Sequence, residues 1–329
     1  VADQGVVADQ GVWRTGVAIY DKATATWRRK SWTGGYPGVG LRLSSTGRLH
    51  HHYGYYSGSG AIYYQYSDDK GVTWKQLGAL SGKLMIGGAC ALDADSKDYP
   101  HMICGMDEAY GSRGIPRYTR YDGTKWKSTL ENFKGSMDYD VHLRIGFADR
   151  PHVVHTYGPT KVGLHYSYYT GTQWKTEAVP LPANVSAHPD VTPGAQLGKA
   201  DTVHIGFVAY DATTKTYSAY YARRTLPGTW IVEKAIDAKN LGGTKYAPAF
   251  LALDAKGQPV IFTAFGSGAR RLGSKSWKVF KTTQKVAALD VEGDYAYILY
   301  PVDGATYYQQ RLHLTSRYTP VTPVFSVKS

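Results

Sequence analysis

The 329-residue chain contains only two cysteines and no run of apolar residues long enough to form a membrane-spanning helix, which needs about 20. The N-terminus also lacks the basic start and apolar block of a signal peptide. It instead repeats the hexapeptide VADQGV, and we interpret residues 1–12 as a lead-in that is partly disordered or derived from cloning. Because a secreted protein loses its signal peptide on maturation, an extracellular location stays open, and we expect no membrane partner.

The sequence has no HExxH motif, no phosphate-binding loop and no Lys/Arg run of the kind found in nucleic-acid-binding arms. We therefore predict no metal site, no cofactor and no nucleic-acid partner. Acidic residues are also few, because 26 Asp and Glu stand against 38 Lys and Arg, giving a net charge of +12. Such a surface favours a polyanionic partner, and we expect an acidic polysaccharide.

Tyrosine is abundant, with 28 Tyr against 8 Phe, and the 37 glycines and 15 prolines indicate many turns. Tyrosine buries a ring while its hydroxyl stays hydrated, so it suits strands and sugar-binding clefts. Apolar and polar residues alternate between the turns, as in half-buried strands. The composition therefore predicts an all-β protein.

A turn followed by tryptophan recurs at intervals of about 50 residues, and each interval contains four strand-like segments. This period is typical of a β-propeller built of four-stranded antiparallel blades. The C-terminal segment holds four strands of its own (AALDVEG, YAYILYP, TYYQQRL and TPVFSV), so the N-terminal strands are free to form another blade. We predict one propeller domain over residues 1–329 with seven blades, six being the alternative.

The segment 67–74, SDDKGVTW, matches the pattern S-x-D-x-G-x-x-W at Ser67, Asp69, Gly71 and Trp74. It resembles the Asp-box of sialidase-type (BNR-repeat) propellers. The resemblance implies a structural turn at the edge of a blade and not a catalytic site.

Cys90 and Cys104 flank a hairpin predicted to be centred near Lys97. Directly opposed residues on antiparallel strands come close enough for a disulfide. The pairing would fit an extracellular protein. The alternative is two small core residues that face each other.

Histidines concentrate in consecutive repeat units instead of being scattered. Each could be a buried histidine whose hydrogen bonds are satisfied locally, but their joint position on one arc indicates a site. They are His50, His51, His52, His101, His142, His152, His155, His188 and His204.

Two segments, 140–158 and 204–224, resemble the active-site region of BNR-type propeller polysaccharide lyases, the ulvan lyases above all. The resemblance implies β-elimination on a uronic acid, in which His155 and Tyr210 transfer protons while His142 and Arg224 neutralise the carboxylate. The spacing between the two histidines is shorter here than in that family. The predicted substrate-binding residues are Tyr157, Arg144, His204, Arg223 and His101.

Two other functions stay open. A non-catalytic, lectin-like propeller would explain the tyrosines and the basic charge, but it predicts equivalent sites in each blade, whereas the histidines are lopsided. A glycoside hydrolase of the sialidase or arabinanase type would need two acids across the bond, and its candidates are Asp107, Glu108, Asp138 and Asp140. We therefore place a secreted polysaccharide lyase (a carbon–oxygen lyase) first.

Overall fold

A computed structural model gives the architecture over most of the chain, and the first three strands are described by their backbone alone. The described residues are 6–11, 14–21, 26–33, 35–55, 61–80, 90–106, 115–130, 137–157, 163–187, 194–225, 228–241, 248–273, 276–282, 285–286, 288–292, 294–301, 307–314 and 325–327.

These residues form seven antiparallel sheets, each of strands that follow one another in the chain. The first three sheets are β1 (Val6–Gly11), β2 (Arg14–Asp21) and β3 (Thr26–Thr33); β4 (Gly35–Leu43), β5 (Leu49–Tyr55), β6 (Ala61–Ser67) and β7 (Lys75–Leu80); and β8 (Cys90–Ala94), β9 (Pro100–Met106), β10 (Ile115–Tyr121) and β11 (Trp126–Leu130). The fourth is β12 (Met137–Ile145), β13 (Pro151–Tyr157), β14 (Gly163–Tyr169) and β15 (Trp174–Ala178).

The fifth sheet has a divided first strand, because β16 and β17 both pair with β18. Its strands are β16 (Val185–Ser186), β17 (Gly194–Leu197), β18 (Val203–Asp211), β19 (Thr216–Thr225) and β20 (Thr229–Ile236). The last two sheets are β21 (Ala249–Leu253), β22 (Pro259–Thr263), β23 (Ser267–Leu272) and β24 (Ser276–Lys281); and β25 (Ala288–Glu292), β26 (Tyr295–Pro301), β27 (Tyr307–His313) and β28 (Phe325–Val327).

Helical structure is minor within the described ranges. It comprises α1 (Ala238–Leu241) and two 3-10 turns, Phe147–Asp149 and Lys199–Asp201. None of the described helices is long and apolar enough to cross a membrane.

The chain divides into two compact units, and the fourth sheet contributes residues to both. Unit 1 comprises Val1–Val153 and Ser167–Thr176, and unit 2 comprises Val154–Tyr166 and Glu177–Ser329. The prediction of one domain over residues 1–329 stays a prediction.

The predicted assignment of the terminal strands agrees with the sheets. The C-terminal sheet is completed by β28, which pairs with β27, while the N-terminal residues form the separate three-stranded sheet β1–β3. The hydrophobic core lies between successive sheets in each unit. In unit 1, Ile62 and Tyr64 pack with Leu92 and Met102, and in unit 2, Phe262 packs in a cluster that includes Ile298 and Leu312.

The predicted disulfide is present. Cys90 of β8 stands directly opposite Cys104 of β9 in the strand register, and their sulfur atoms are bonded. The hairpin that was inferred from the turn near Lys97 therefore has the expected register.

The SDDKGVTW turn is closed by its own side chains. The Gly71 N–H donates to Ser67 Oγ at 2.7 Å, and the Ser67 hydroxyl donates to Asp69 at 2.7 Å. Asp69 also accepts the Thr73 N–H, and the Trp74 indole N–H donates to the Gly71 carbonyl at 3.1 Å. Gly71 has a φ of 80°, which a glycine adopts without steric cost.

Candidate functional site

Four of the clustered histidines, His50, His101, His152 and His204, occupy the same place in four sheets, the second residue of the second strand. The contacts of His50, His101 and His204 are alike. Each imidazole is buried and its Nδ1 is hydrogen-bonded to a tyrosine hydroxyl on the third strand of the same sheet. The pairs are His50–Tyr64 and His204–Tyr221, both at 2.6 Å, and His101–Tyr118.

Each of these tyrosines then packs edge-on against the tryptophan of the next sheet along the chain. The ring pairs are Tyr64–Trp126 and Tyr118–Trp174, both at 5.3 Å between centroids, and Tyr221–Trp277 at 5.5 Å. We call this repeated arrangement the His–Tyr–Trp staple. It accounts for His50, His101 and His204 by packing alone, so three of the nine histidines in the arc that suggested a single site are explained by the repeat.

Burial keeps His50 and His204 of the staple neutral at pH 7. It lowers the pKa of His50 to about 4, against an opposing effect of Asp98, whose carboxylate lies 3.6 Å from Nε2. The pKa of His204 is lowered to about 4 by burial and then by the positive charges of Arg223 and Arg271. A neutral imidazole suits a hydrogen bond to a tyrosine hydroxyl in the interior.

Arg224 is held in an ion pair between two sheets. Its Nε lies 2.5 Å from Glu177 Oε1, and its guanidinium lies 5.5 Å from the centre of the Tyr166 ring. The Trp230 indole N–H donates to the same carboxylate at 3.4 Å. One sheet later, Glu233 accepts two hydrogen bonds from Arg271, at 3.1 and 2.7 Å, and one from the Trp277 indole at 3.1 Å. We call this arrangement the Glu–Arg–Trp triad.

The structure places Tyr210 and Arg224 at opposite ends of one hairpin, and the catalytic set that was predicted from the sequence stays a prediction. In the β18–β19 hairpin, Tyr210 is opposite Tyr217, whereas Arg224 is opposite Val203 at the other end. Seven positions of about 3.3 Å each separate the two ends, or about 23 Å. Because the strands are antiparallel, the end of β18 lies beside the beginning of β19, and Arg224 is the second-last residue of β19. Arg223 lies at this far end too, opposite His204.

His155 stacks on His165, a residue that the sequence analysis missed. The two ring centroids are 5.7 Å apart with an interplanar angle of 23°. Burial, and then the neighbouring His165, lowers the pKa of His155 to about 3, and burial lowers the pKa of His165 as well. The corresponding ring pairs in other sheets are Tyr53–Tyr63 at 5.4 Å and Phe207–Tyr220 at 5.7 Å.

His165 could have been found by aligning the units, since it precedes Tyr166 as Tyr63 precedes Tyr64. The described part of the chain thus has an imidazole pair where two other sheets have aromatic pairs. The side chain of Tyr157, which ends β13, and the whole of His188 lie outside the described residues.

A basic cluster lies on the first strands of three successive sheets in unit 1. Arg42 of β4 donates through Nε to Asp93 of β8 at 2.7 Å, and the other oxygen of Asp93 accepts the N–H of Ile145 in β12 at 2.8 Å. His142 and Arg144 stand on β12 as well, both half-buried. We call Arg42, Asp93, His142 and Arg144 the first-strand cluster.

The charges of the first-strand cluster influence one another. Burial, and then repulsion from Arg42, lowers the pKa of Arg144 to about 10, while Asp93 acts in the opposite direction. Burial, and then Arg144, lowers the pKa of His142 to about 3. At neutral pH these four groups therefore carry two positive charges, one negative charge and one neutral imidazole. This is a site suited to an anionic group.

No family model and no curated protein matches the chain. Solved structures do. The chain is similar to the BP39L lectin from Burkholderia pseudomallei, with a TM-score of 0.65, 12% identity and 99% of each chain covered. It is also similar to the polysaccharide lyase Uly1, with a TM-score of 0.57, 11% identity and 89% and 82% of the two chains covered. An α-L-arabinanase from Penicillium chrysogenum matches with a TM-score of 0.54, 12% identity and coverage of 88% and 93%. At this level of identity the matches establish the fold, and the chain is a β-propeller of antiparallel sheets, as its sequence predicts.

Proposed function

We propose that this protein binds an acidic polysaccharide as a lectin-like propeller, with binding positions that recur from one blade to the next. The observation that carries the proposal is the Glu–Arg–Trp triad. It occurs twice in unit 2, with Glu177, Arg224 and Trp230 in one copy and Glu233, Arg271 and Trp277 in the next. Equivalent positions in successive blades are what a binding module requires and a single-site enzyme does not.

The triad offers the chemistry that sugar hydroxyls need. A carboxylate accepts hydrogen bonds from hydroxyls and a guanidinium donates them, while the tryptophan, whose one N–H donates to the glutamate, supplies an apolar ring face. The first copy reaches solvent mainly through its carboxylate, since the Glu177 side chain is 31% exposed whereas that of Arg224 is 12% exposed. Because the ion pair is neutral overall, the triad suits uncharged sugar units.

An acidic polymer is favoured by the whole-chain charge of +12 and by the first-strand cluster in unit 1. Long-range attraction raises the association rate for a polyanion. One of the similar structures is a lectin, and this likeness supports glycan binding without naming the sugar. The Cys90–Cys104 disulfide supports an extracellular location, because such bonds persist in oxidising compartments.

Polysaccharide lyase activity is our second candidate, because the histidine distribution that favoured it has another explanation. The lopsided distribution of histidines favoured a single active site, but three of them belong to the His–Tyr–Trp staple. Tyr210 and Arg224, moreover, lie at opposite ends of one hairpin. The expected convergence of these two side chains is therefore absent.

One observation still favours β-elimination, the neutral imidazole of His142 beside the guanidinium of Arg144. In such a reaction Arg144 would neutralise the uronate carboxylate, and His142 would accept the C5 proton. The C4–O bond would then break to give an unsaturated product, and the leaving oxygen would take a proton from an acid such as a tyrosine. The acids proposed for a hydrolase lie outside the described residues or have side chains that are not described, so that function stays a prediction.

Binding and cleavage are separated by one experiment on ulvan, glucuronan, pectate, alginate and gum arabic. Retention on immobilised glycan at physiological salt, with no unsaturated uronate in the ultraviolet spectrum and no new reducing ends, is the expected result. Growth of ultraviolet absorbance would identify a lyase instead. A Glu177→Gln and Glu233→Gln double variant should weaken retention, and no retention of the wild-type protein on any of the glycans would refute the proposal.

A further inference from the structure

The geometry points to the first-strand cluster as a subsite for a single oxyanion, the carboxylate of a uronate or a sulfate ester on the bound sugar. This inference rests on the proposed function in that it concerns the acidic group of a glycan. It assigns Arg42 and Arg144 as the ligand-binding residues and Asp93 as the residue that positions them.

Asp93 fixes the arrangement because both of its oxygens are engaged across strands. One oxygen accepts from Arg42 Nε of the preceding sheet, and the other accepts from the Ile145 N–H of the following sheet. The carboxylate is only 5% exposed, so its two hydrogen bonds are shielded from water. Asp93 therefore links β4 to the end of β12 through its two hydrogen bonds.

Arg42 keeps part of its guanidinium for a ligand. Among the described residues its one hydrogen bond runs from Nε to Asp93, and its side chain is 38% exposed. The two Nη groups therefore remain able to donate in the paired geometry that a carboxylate or sulfate accepts. A guanidinium oriented by a buried carboxylate loses little freedom when it binds.

Arg144 supplies the second positive charge at this place. It precedes Ile145, whose N–H contacts Asp93, and it interacts electrostatically with both Arg42 and Asp93. Two guanidinium groups and one carboxylate leave a net charge of +1, and His142 adds an uncharged imidazole. The cluster thus matches a monoanion with several acceptor oxygens.

The propeller fold itself does not require these charges. In the strand register Arg42 and Asp93 stand opposite the staple histidines His50 and His101. In the three later sheets the residues opposite the corresponding positions are Gln196, Ala252 and Val291. An amide and two apolar side chains occupy this position in the later sheets. Packing of the fold therefore does not require a charged residue there.

The test compares Arg42→Gln and Arg144→Gln with Arg150→Gln. Arg150 is exposed and also in unit 1, so its substitution makes the same change in net charge outside the cluster. Binding is measured by calorimetry with a uronate oligosaccharide, the same oligosaccharide after carboxyl reduction, and a sulfated neutral oligosaccharide. Free galacturonate and inorganic sulfate serve as small probes in thermal-shift measurements, so the subsite is tested even without glycan binding.

We expect each cluster variant to bind the charged oligosaccharide about ten- to a hundredfold more weakly, while Arg150→Gln binds like wild type. The carboxyl-reduced ligand should bind wild type and both cluster variants equally. Preference for the uronate or for the sulfate ester identifies which oxyanion the site takes.

Equal binding of the charged ligand by all three variants would overturn the subsite while leaving the proposed function intact. Conversely, thermal stabilisation by a free anion that is lost in Arg144→Gln, without binding of any oligosaccharide, would keep the subsite and refute the proposed function. Arg42→Gln changes a side chain that is more than a third exposed, so it provides a variant that folds if Arg144→Gln does not. Arg144→Lys should restore part of the binding.

Discussion

The His–Tyr–Trp staple predicts that the protein loses stability on mild acidification, and His204 shows by how much. Its pKa is about 4 in the folded protein and 6.5 when exposed. Below pH 6.5 the unfolded chain therefore binds a proton that the folded protein does not, so stability falls as pH drops from 6.5 towards 4. At pH 5 the unfolded histidine is almost fully protonated, and the free energy of unfolding is reduced by about 2 kcal/mol relative to pH 7.5.

The measurement is guanidinium unfolding followed by tryptophan fluorescence, at pH 7.5 and at pH 5, for wild type and His204→Phe. Phenylalanine keeps a ring beside Tyr221 but has no group that titrates. The variant is expected to lose about 2 kcal/mol less than wild type between the two pH values. His50, whose pKa is also about 4, should give a similar difference.

Tyr221→Phe serves as the second variant, because it removes the hydroxyl that His204 Nδ1 contacts at 2.6 Å. It should lower stability by about 1 kcal/mol at pH 7.5 and leave the acid sensitivity in place. If His204→Phe and wild type lose the same free energy between pH 7.5 and pH 5, the imidazole is not held neutral by its burial, and the reasoning fails.

Other predictions concern single contacts. Reduction of Cys90–Cys104, or Cys90→Ser with Cys104→Ser, should lower the free energy of unfolding by about 3 kcal/mol, because the bond closes a loop with a sequence separation of 14; unchanged denaturation midpoints would contradict this. Trp230→Phe removes the indole N–H that donates to Glu177 and should lower the free energy of unfolding by about 1 kcal/mol. A melting temperature equal to that of wild type would contradict this. Gly71→Ala should lower the free energy of unfolding by about 1–2 kcal/mol, because Gly71 has a positive φ. Equal denaturant midpoints for the variant and wild type would show that the turn changes conformation to accept alanine.

Much of the fold follows from the sequence because its signals are local. Tryptophans that follow a turn mark six of the seven sheets, alternation marks the strands, and the hairpin between Cys90 and Cys104 has the predicted register. The SDDKGVTW turn closes with the hydrogen bonds that its residue types imply. These features need only neighbouring residues, so no knowledge of distant contacts is required.

The site was harder to predict because it depends on which strand ends meet. Arg224 follows Tyr210 closely in sequence, yet the antiparallel register carries it to the opposite end of the hairpin. The histidines looked exceptional because their tyrosine partners stand on the next strand, and the tryptophans that pack on those tyrosines come from the following sheet. Arg42 and Asp93 drew no attention, since their contact joins strands of different sheets.

The staple also bears on how the chain matures during synthesis. Each tyrosine of a third strand finds its tryptophan only in the following sheet, as Tyr64 does with Trp126 and Tyr221 with Trp277. A blade that has just left the ribosome therefore still exposes this tyrosine ring. The ring is buried only after roughly one further repeat has emerged. A pause or truncation inside a repeat would leave the preceding blade with an uncovered aromatic face, which is the form that chaperones and proteases recognise.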